Sequence, residues 1–203
     1  LSALLGLFSF FEAKFVTLSL CLITGNAHKL REAQALMPEI TGWAIDLPEI
    51  QHSEPMPVIE AKLLAALALA GDRTRLLVED TGLYLAALNG LPGPLIKWFL
   101  APGKPGLNGL WQIASALGET KAEAITVIGY LEKQASALKI AYYTGSISGQ
   151  IVAPRGEKGF GWDALFMPEG SDKTFAEMDA EEKARFSMRA LALTQLRESL
   201  FTV

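Results

Sequence analysis

A single cysteine, Cys21, stands in 203 residues, so no disulfide can close within the chain. It lies in the apolar run from Ser19 to Thr24, where a small thiol suits a packed core in a reducing compartment. Positive charge is also in short supply: 18 lysines and arginines face 22 aspartates and glutamates, a formal net charge of −4. Proteins that coat nucleic acid need a basic face to displace counterions from phosphates. Nucleic acid is therefore not expected as a partner, and any anionic ligand must be held by a local cluster of cations. Long hydrophobic runs are missing too. The opening LSALLGLFSFFEAKFV is sixteen residues long and interrupted by Glu12 and Lys14, so it does not read as a membrane span. It has neither the basic start nor the clear cleavage site of a secretory signal. Residues 1–16 are set aside as an N-terminal extension, with an upstream-extended reading frame, an extra helix and an appended remnant all open. No membrane partner is expected, and the expected location is the cytoplasm.

Half the residues are hydrophobic and a fifth charged, the balance of a globular enzyme with a substantial core. Phe15 to Ile23 reads as a buried strand, and Leu30, Ala33 and Leu36 then recur at helical spacing over Ala27 to Leu36. A short strand follows over Trp43 to Leu47, then a Pro- and acid-rich loop to Pro55, a helix over Val58 to Ala70, and a strand from Arg75 to Val78 ending in Glu79-Asp80-Thr81-Gly82. Two helices punctuated by prolines occupy Leu91 to Leu117. Strands over Ala124 to Leu131 and Ala137 to Ile147 then flank a turn at Lys133 to Ser136, and one helix runs from Ala180 to Leu200. The pattern is α/β, with an elongated mixed β-sheet flanked by helices. In open α/β sheets ligands bind beyond the carboxyl ends of strands.

Three groups of residues carry chemistry. The first is LITGNAHKLRE, Leu22 to Glu32, which has one glycine and no hydroxyl after its lysine, and so is not the loop G-x-x-x-x-G-K-[ST] of the common nucleotide hydrolases. Thr24, Asn26 and Lys29 at a helix start can still grip phosphate oxygens, although the same residues suit a simple turn and helix cap. Glu49, Glu79 and Asp80, with Thr81, offer hard oxygen ligands of the kind Mg²⁺ takes, or alternatively surface charge and a capped turn. The second group is Gly156 to Asp163, where three glycines around Phe160 and Trp162 let backbone approach a flat ligand, or simply turn above core aromatics. The third is Lys183, Ser187 and Arg189 on the last helix. Positions 183 and 187 share a face there, which in isolation is a solvated one.

Taken in order, TGNAHK, DLPE (Asp46 to Glu49), Lys62, VEDTGL (Val78 to Leu83), LNGLPGPLIKWFL (Leu88 to Leu100), SGQIVAPRG (Ser148 to Gly156), GFGWDALF (Gly159 to Phe166), TFAEM (Thr174 to Met178) and EEKARFSMRA (Glu181 to Ala190) resemble the inosine triphosphate pyrophosphatase family, closest to its eukaryotic branch. The resemblance implies a single nucleotide pyrophosphatase domain over 17–203, with two lobes and a central substrate cleft. It implies hydrolysis of ITP, dITP and XTP to the monophosphate and pyrophosphate. Thr24, Asn26, Lys29, Lys62 and Thr81 would contact the triphosphate. Glu49 and Asp80, with Glu79 as a further candidate, would hold Mg²⁺, with Mn²⁺ as the alternative ion. Phe160, Trp162 and Asp163 would form the base pocket, with Lys183 and Arg189 closing over the nucleotide. Asp80, Lys29 and Lys62 would be catalytic. The partners implied are the nucleoside triphosphate and a second copy of the chain, with PGPLIKWFL in the contact region of a homodimer. The family usually reads E-K-N-x-x-S-H-R on the last helix, where this chain has Ala184 for the asparagine and Met188 for the histidine. A thioether is at most a weak acceptor and cannot replace an imidazole donor, so Met188 bears directly on base preference. The competing reading is a nucleotide-binding protein on the same scaffold, with altered base specificity or weak turnover.

Overall fold

A computed structural model describes residues 19–201. The chain enters β1 (Leu20–Ile23), four buried apolar residues, and turns at Thr24 to Asn26 into α1 (Ala27–Leu36). Asn26 caps α1, its Oδ1 accepting the N–H groups of His28 at 2.9 Å and Lys29 at 3.3 Å. That satisfies two donors a helix start otherwise leaves unpaired. After β2 (Ile40–Trp43), a coil leads to α2 (Pro55–Leu69), where Pro55 stands at the helix start that tolerates proline. β3 (Arg75–Leu85) is followed by a short 3₁₀ turn (Ala86–Leu88), β4 (Pro92–Gly93), α3 (Ile96–Phe99) and α4 (Gly106–Ala116). The hairpin β5 (Lys121–Lys133) and β6 (Leu138–Ile151), then β7 (Phe166–Pro168), α5 (Ala180–Ala184) and α6 (Met188–Phe201), complete the order.

The seven strands form one mixed sheet in the order β2-β1-β3-β5-β6-β7, with β4 beside β3. β1 runs parallel to β2 and β3, while the pairs β3–β5, β5–β6 and β6–β7 are antiparallel. One face of the parallel half packs on α1 and α6 through Ala33, Met37, Ala192, Leu193 and Leu196, and the other on α2 through Ile59, Leu63 and Ala66. A third core gathers the far ends of β3 and β5 with α4, Trp162, Phe166 and Phe175. This separate core is the second lobe, and the cleft lies where the lobes meet along β3.

Three expectations from the sequence change. Glu79 and Asp80 do not end a strand: β3 continues to Leu85 because β5 pairs with it throughout. Its parallel partner β1 stops just after the pair Leu22 and Leu77, so both residues still lie beyond the carboxyl end of β1. The second strand lies at Ile40–Trp43 rather than Trp43 to Leu47, because the residues that align with β1 are Ile40 to Trp43, and Ile45 and Leu47 pack on the core as coil. The last helix is two, broken at 185–187, where Ser187 Oγ accepts the Ala190 N–H at 3.1 Å and restarts the helix as α6. The expected extension 1–16 lies outside the described residues.

α6 lies so close on β6 that a Cβ at Gly145 would stand 1.9 Å from the Met188 carbonyl oxygen and 2.8 Å from the Leu191 Cβ. The obstruction is backbone, which cannot swing aside. Gly145→Ala should therefore cost about 1–3 kcal/mol of stability, measured as a lower urea midpoint.

Candidate active site

Two adjoining cavities open along the cleft. One of about 520 Å³ is lined by Thr24, Asn26, Lys29, Glu49, Lys62 and Glu79, among others. The other, about 170 Å³ and mostly apolar, is lined by Lys29, Thr81, Phe160, Trp162, Asp163, Lys183, Met188 and Arg189, among others. Lys29 belongs to both. A wider groove of about 760 Å³ at the far end of the sheet, lined by Tyr84, Lys121, Gln150 and Met167 among others, contains none of the residues singled out from the sequence as site candidates.

At the floor, Glu79 is surrounded by cations. Arg189 grips it with one edge of its guanidinium, Nε to Oε2 at 2.7 Å and Nη2 to Oε1 at 3.0 Å, and Lys29 Nζ lies 2.9 Å from Oε1. Burial alone would push the Glu79 carboxyl up, but Lys29 and Arg189 overcome it and hold the carboxyl well below the usual glutamate range. Burial likewise disfavours the Arg189 charge, and Glu79 together with Glu32 more than restores it. Glu32, from α1, accepts a third bond from Arg189. The Thr81 hydroxyl bonds Thr126 at 2.9 Å beside this cluster.

On the opposite face of β3, Lys62 Nζ bridges Asp80 Oδ1 at 3.1 Å and Glu49 Oε1 at 2.9 Å. Lys97 of α3 bonds the other Glu49 oxygen. Burial raises the Asp80 carboxyl above the ordinary aspartate value; Lys62 opposes the rise and the Glu79 charge adds to it. Asp80 Oδ2 is buried and has no hydrogen-bond partner among the described residues. An orphaned carboxylate oxygen next to a second carboxylate is a donor set that fits a hard divalent cation. Among the described residues no three His, Cys, Asp or Glu side chains gather as a closed cage. Mg²⁺ commonly uses one or two carboxylates and completes its octahedron with waters and phosphate oxygens. Glu79 differs in being buried with both oxygens held by Arg189 and Lys29, whereas Glu49, although each of its oxygens also meets a lysine, is half-exposed, which leaves Asp80 and Glu49 as the pair a cation could reach.

The smaller, apolar cavity is built on a tight loop. Gly159 has φ +82°, and a Cβ there would stand 2.1 Å from Asp163 Oδ2. That oxygen accepts the Phe160 N–H at 2.9 Å and Lys183 Nζ at 2.7 Å, so Asp163 fixes the loop and draws α5 to it. Phe160 presents its ring toward the cleft, with Lys183 Nζ 5.2 Å from the ring centroid. Trp162 sits mainly in the core, edge-on to Phe166 at 5.6 Å, so it supports the pocket from behind. Met188 is buried and forms an apolar wall.

The site residues named from the sequence thus line these two cavities, except Asp80, which lies across β3 in a small separate cavity shared with Glu49 and Lys97 and joins the others through Lys62. Sequence reasoning missed Glu32 and Lys97. Glu32 is one turn beyond Lys29 on α1, a spacing that could have found it. Lys97 was read only as part of a contact segment, although its place in a polar gap among apolar neighbours was a signal.

A family model described as the Ham1 family matches residues 20–199. The chain belongs to the Ham1 family. An inosine triphosphate pyrophosphatase of Schizosaccharomyces pombe is 40% identical over 185 residues, covering 90% of this chain and 95% of the relative. One of Fusarium vanettenii is 43% identical, covering 86% and 92% respectively. Among solved structures, a HAM1 protein from Coxiella burnetii superposes with a TM-score of 0.74 at 27% identity, over 91% of this chain and 100% of that one.

Removing the floor of this Ham1-family site should be costly. Glu79→Gln leaves Lys29 without its counter-charge and Arg189 with Glu32 alone in a buried place, an expected loss of about 3–5 kcal/mol in urea unfolding at neutral pH. The folded-state value of Glu79 lies below the unfolded value near 4.5, so its contribution is full above that pH and is lost as pH falls from there through the folded-state value. Wild type should therefore lose stability between about pH 5 and about pH 3 by more than the variant does.

Proposed function

We propose that this protein hydrolyses non-standard purine nucleoside triphosphates, ITP, dITP and XTP, to the monophosphate and pyrophosphate, and so clears them from the nucleotide pool. The observation that carries the reading is the junction at Lys29: a polar cavity lined by lysines and carboxylates meets an apolar pocket floored by Phe160, the two halves a nucleotide requires. The names of the fungal relatives support the same substrate class.

In this reading Thr24 and Asn26, at the start of α1, bind phosphate oxygens, with Lys29 and Lys62 countering the charge that develops on the leaving pyrophosphate. Asp80 and Glu49 would hold Mg²⁺, or Mn²⁺ as the alternative ion. When bound, the ion polarises phosphate oxygens and acidifies water. Asp80 Oδ1 stays with Lys62, and Oδ2 is the oxygen free to orient the attacking water or take its proton. The water oxygen attacks the α-phosphorus, the bond to the bridging α–β oxygen breaks, and pyrophosphate departs. Lys183, set by Asp163, lies beside the stacked base. A 6-keto purine accepts a hydrogen bond where adenine donates, so a site with a cationic donor leaves a buried group unpaired against adenine.

A second reading concerns base choice. Met188 makes the pocket wall apolar, which favours a shifted or weakened preference among bases. We further propose a cytoplasmic homodimer. Support for the dimer comes from the half-exposed Trp98 in the segment named for it and Leu91 just before that segment, testable by sedimentation. Among the described residues no helix is long and apolar enough to cross a membrane.

Purified protein with Mg²⁺ should release pyrophosphate from ITP and XTP far faster than from ATP. Equal rates on ATP and GTP would refute the base specificity. Asp80→Asn should lower kcat by about 100-fold or more. Met188→His should change the ratio of ITP to other-base turnover while leaving phosphate-side variants unaffected; an unchanged ratio would remove this position from base selection.

A further inference from the structure

His28 is the second residue of α1, set between two groups of the phosphate side: Asn26, which accepts its N–H, and Lys29. Its imidazole lies 5.4 Å from the Phe160 ring at a tilt of 33°, within the range at which aromatic rings attract. Arg31 Nη2 lies 2.9 Å from Nδ1, a bond that fixes the direction of the ring from within α1. Phe160 comes from the other wall, on the loop that Asp163 and Lys183 brace. The contact therefore spans the cleft, joining the helix that grips phosphates to the ring that faces the base pocket.

We propose that His28 is a positioning residue for the base: by contacting Phe160 from α1, it sets the stacking surface in register with the phosphate grip. The proposal rests on the nucleotide reading above and adds a residue to it. A phosphate chain without a base touches α1 but not Phe160, so it should be indifferent to the imidazole. A nucleoside triphosphate uses both walls at once and should feel its loss. Because stacking needs a ring rather than a charge, phenylalanine should serve in place of histidine.

The test compares wild type, His28→Ala and His28→Phe, titrated calorimetrically with ITP and with sodium tripolyphosphate, alongside KM and kcat for ITP. His28→Ala should weaken ITP by about three- to tenfold, expressed in KM with kcat little changed. Tripolyphosphate affinity should stay the same, and His28→Phe should restore ITP binding. Unchanged ITP affinity in His28→Ala, equal loss for both ligands, or no rescue by phenylalanine would each overturn the proposal. So would a wild type that binds ITP no more tightly than tripolyphosphate. Binding is read without turnover, so a failure of hydrolysis bears on the proposed function, while the pattern across the variants bears on His28.

Discussion

The ion cluster on Glu79 is the constraint around which the cleft is arranged. A carboxylate in the middle of a sheet is tolerated only if its charge is met there, since an isolated buried ion costs several kcal/mol. Lys29 from α1 and Arg189 from α6 meet it, and Glu32 from α1 satisfies the remaining guanidinium edge. Both helices are thereby tied to β3 at one point, and each tie fixes something else. Holding Lys29 fixes the start of α1 and hence the Thr24–Asn26 turn that lines the polar cavity. Holding Arg189 fixes the start of α6 and places Met188 in the pocket wall.

Neighbouring residues of β3 do opposite work because a strand presents successive side chains to opposite faces. Glu79 faces α1 and α6 and has its oxygens fully engaged. Asp80 faces α2, where Lys62 engages only Oδ1 and leaves Oδ2 without a partner. Two adjacent carboxylates that look equivalent as letters are thus separated into a fully engaged anchor and one with an oxygen to spare. Asp80, with the half-exposed Glu49, is the pair that would hold a divalent cation, while Glu79 keeps the cationic floor in place.

Much of this was legible in the sequence, and the misses have physical causes. The helix Ala27–Leu36 was read with its observed bounds because apolar spacing and the Asn26 cap are local signals. The continuation of β3 past Asp80 was not, because polar residues inside a strand are held there by pairing with β5, a partner more than forty residues away. The break in the last helix was also hidden. Ala184 to Arg189 contains nothing that forbids a helix, and the interruption arises from Ser187 recapping while Lys183 and Arg189 reach different targets. The residues picked out by motif resemblance lie near one another in the fold, but only tertiary packing distinguishes Phe160, whose ring faces the cleft, from Trp162, which sits in the core behind it.

The balance of charge in the cleft gives a reason for a metal that no single residue supplies. Four cations, Lys29, Lys62, Lys97 and Arg189, are paired with four carboxylates, Glu32, Glu49, Glu79 and Asp80. Lys183 is likewise matched by Asp163. The protein alone therefore offers a nearly neutral site, well suited to being stable without ligand and poorly suited to a polyanion. A triphosphate must either draw lysines away from their carboxylates or arrive with positive charge of its own. The first course would leave Asp80 and Glu49 exposed to phosphate oxygens at close range, which like-charge repulsion opposes. A divalent cation held by Asp80 and Glu49 would supply that charge while Lys62 stays with Asp80. The paired lysines would then keep the two carboxylates in place, and the same pairing would make unaccompanied phosphate a poor ligand.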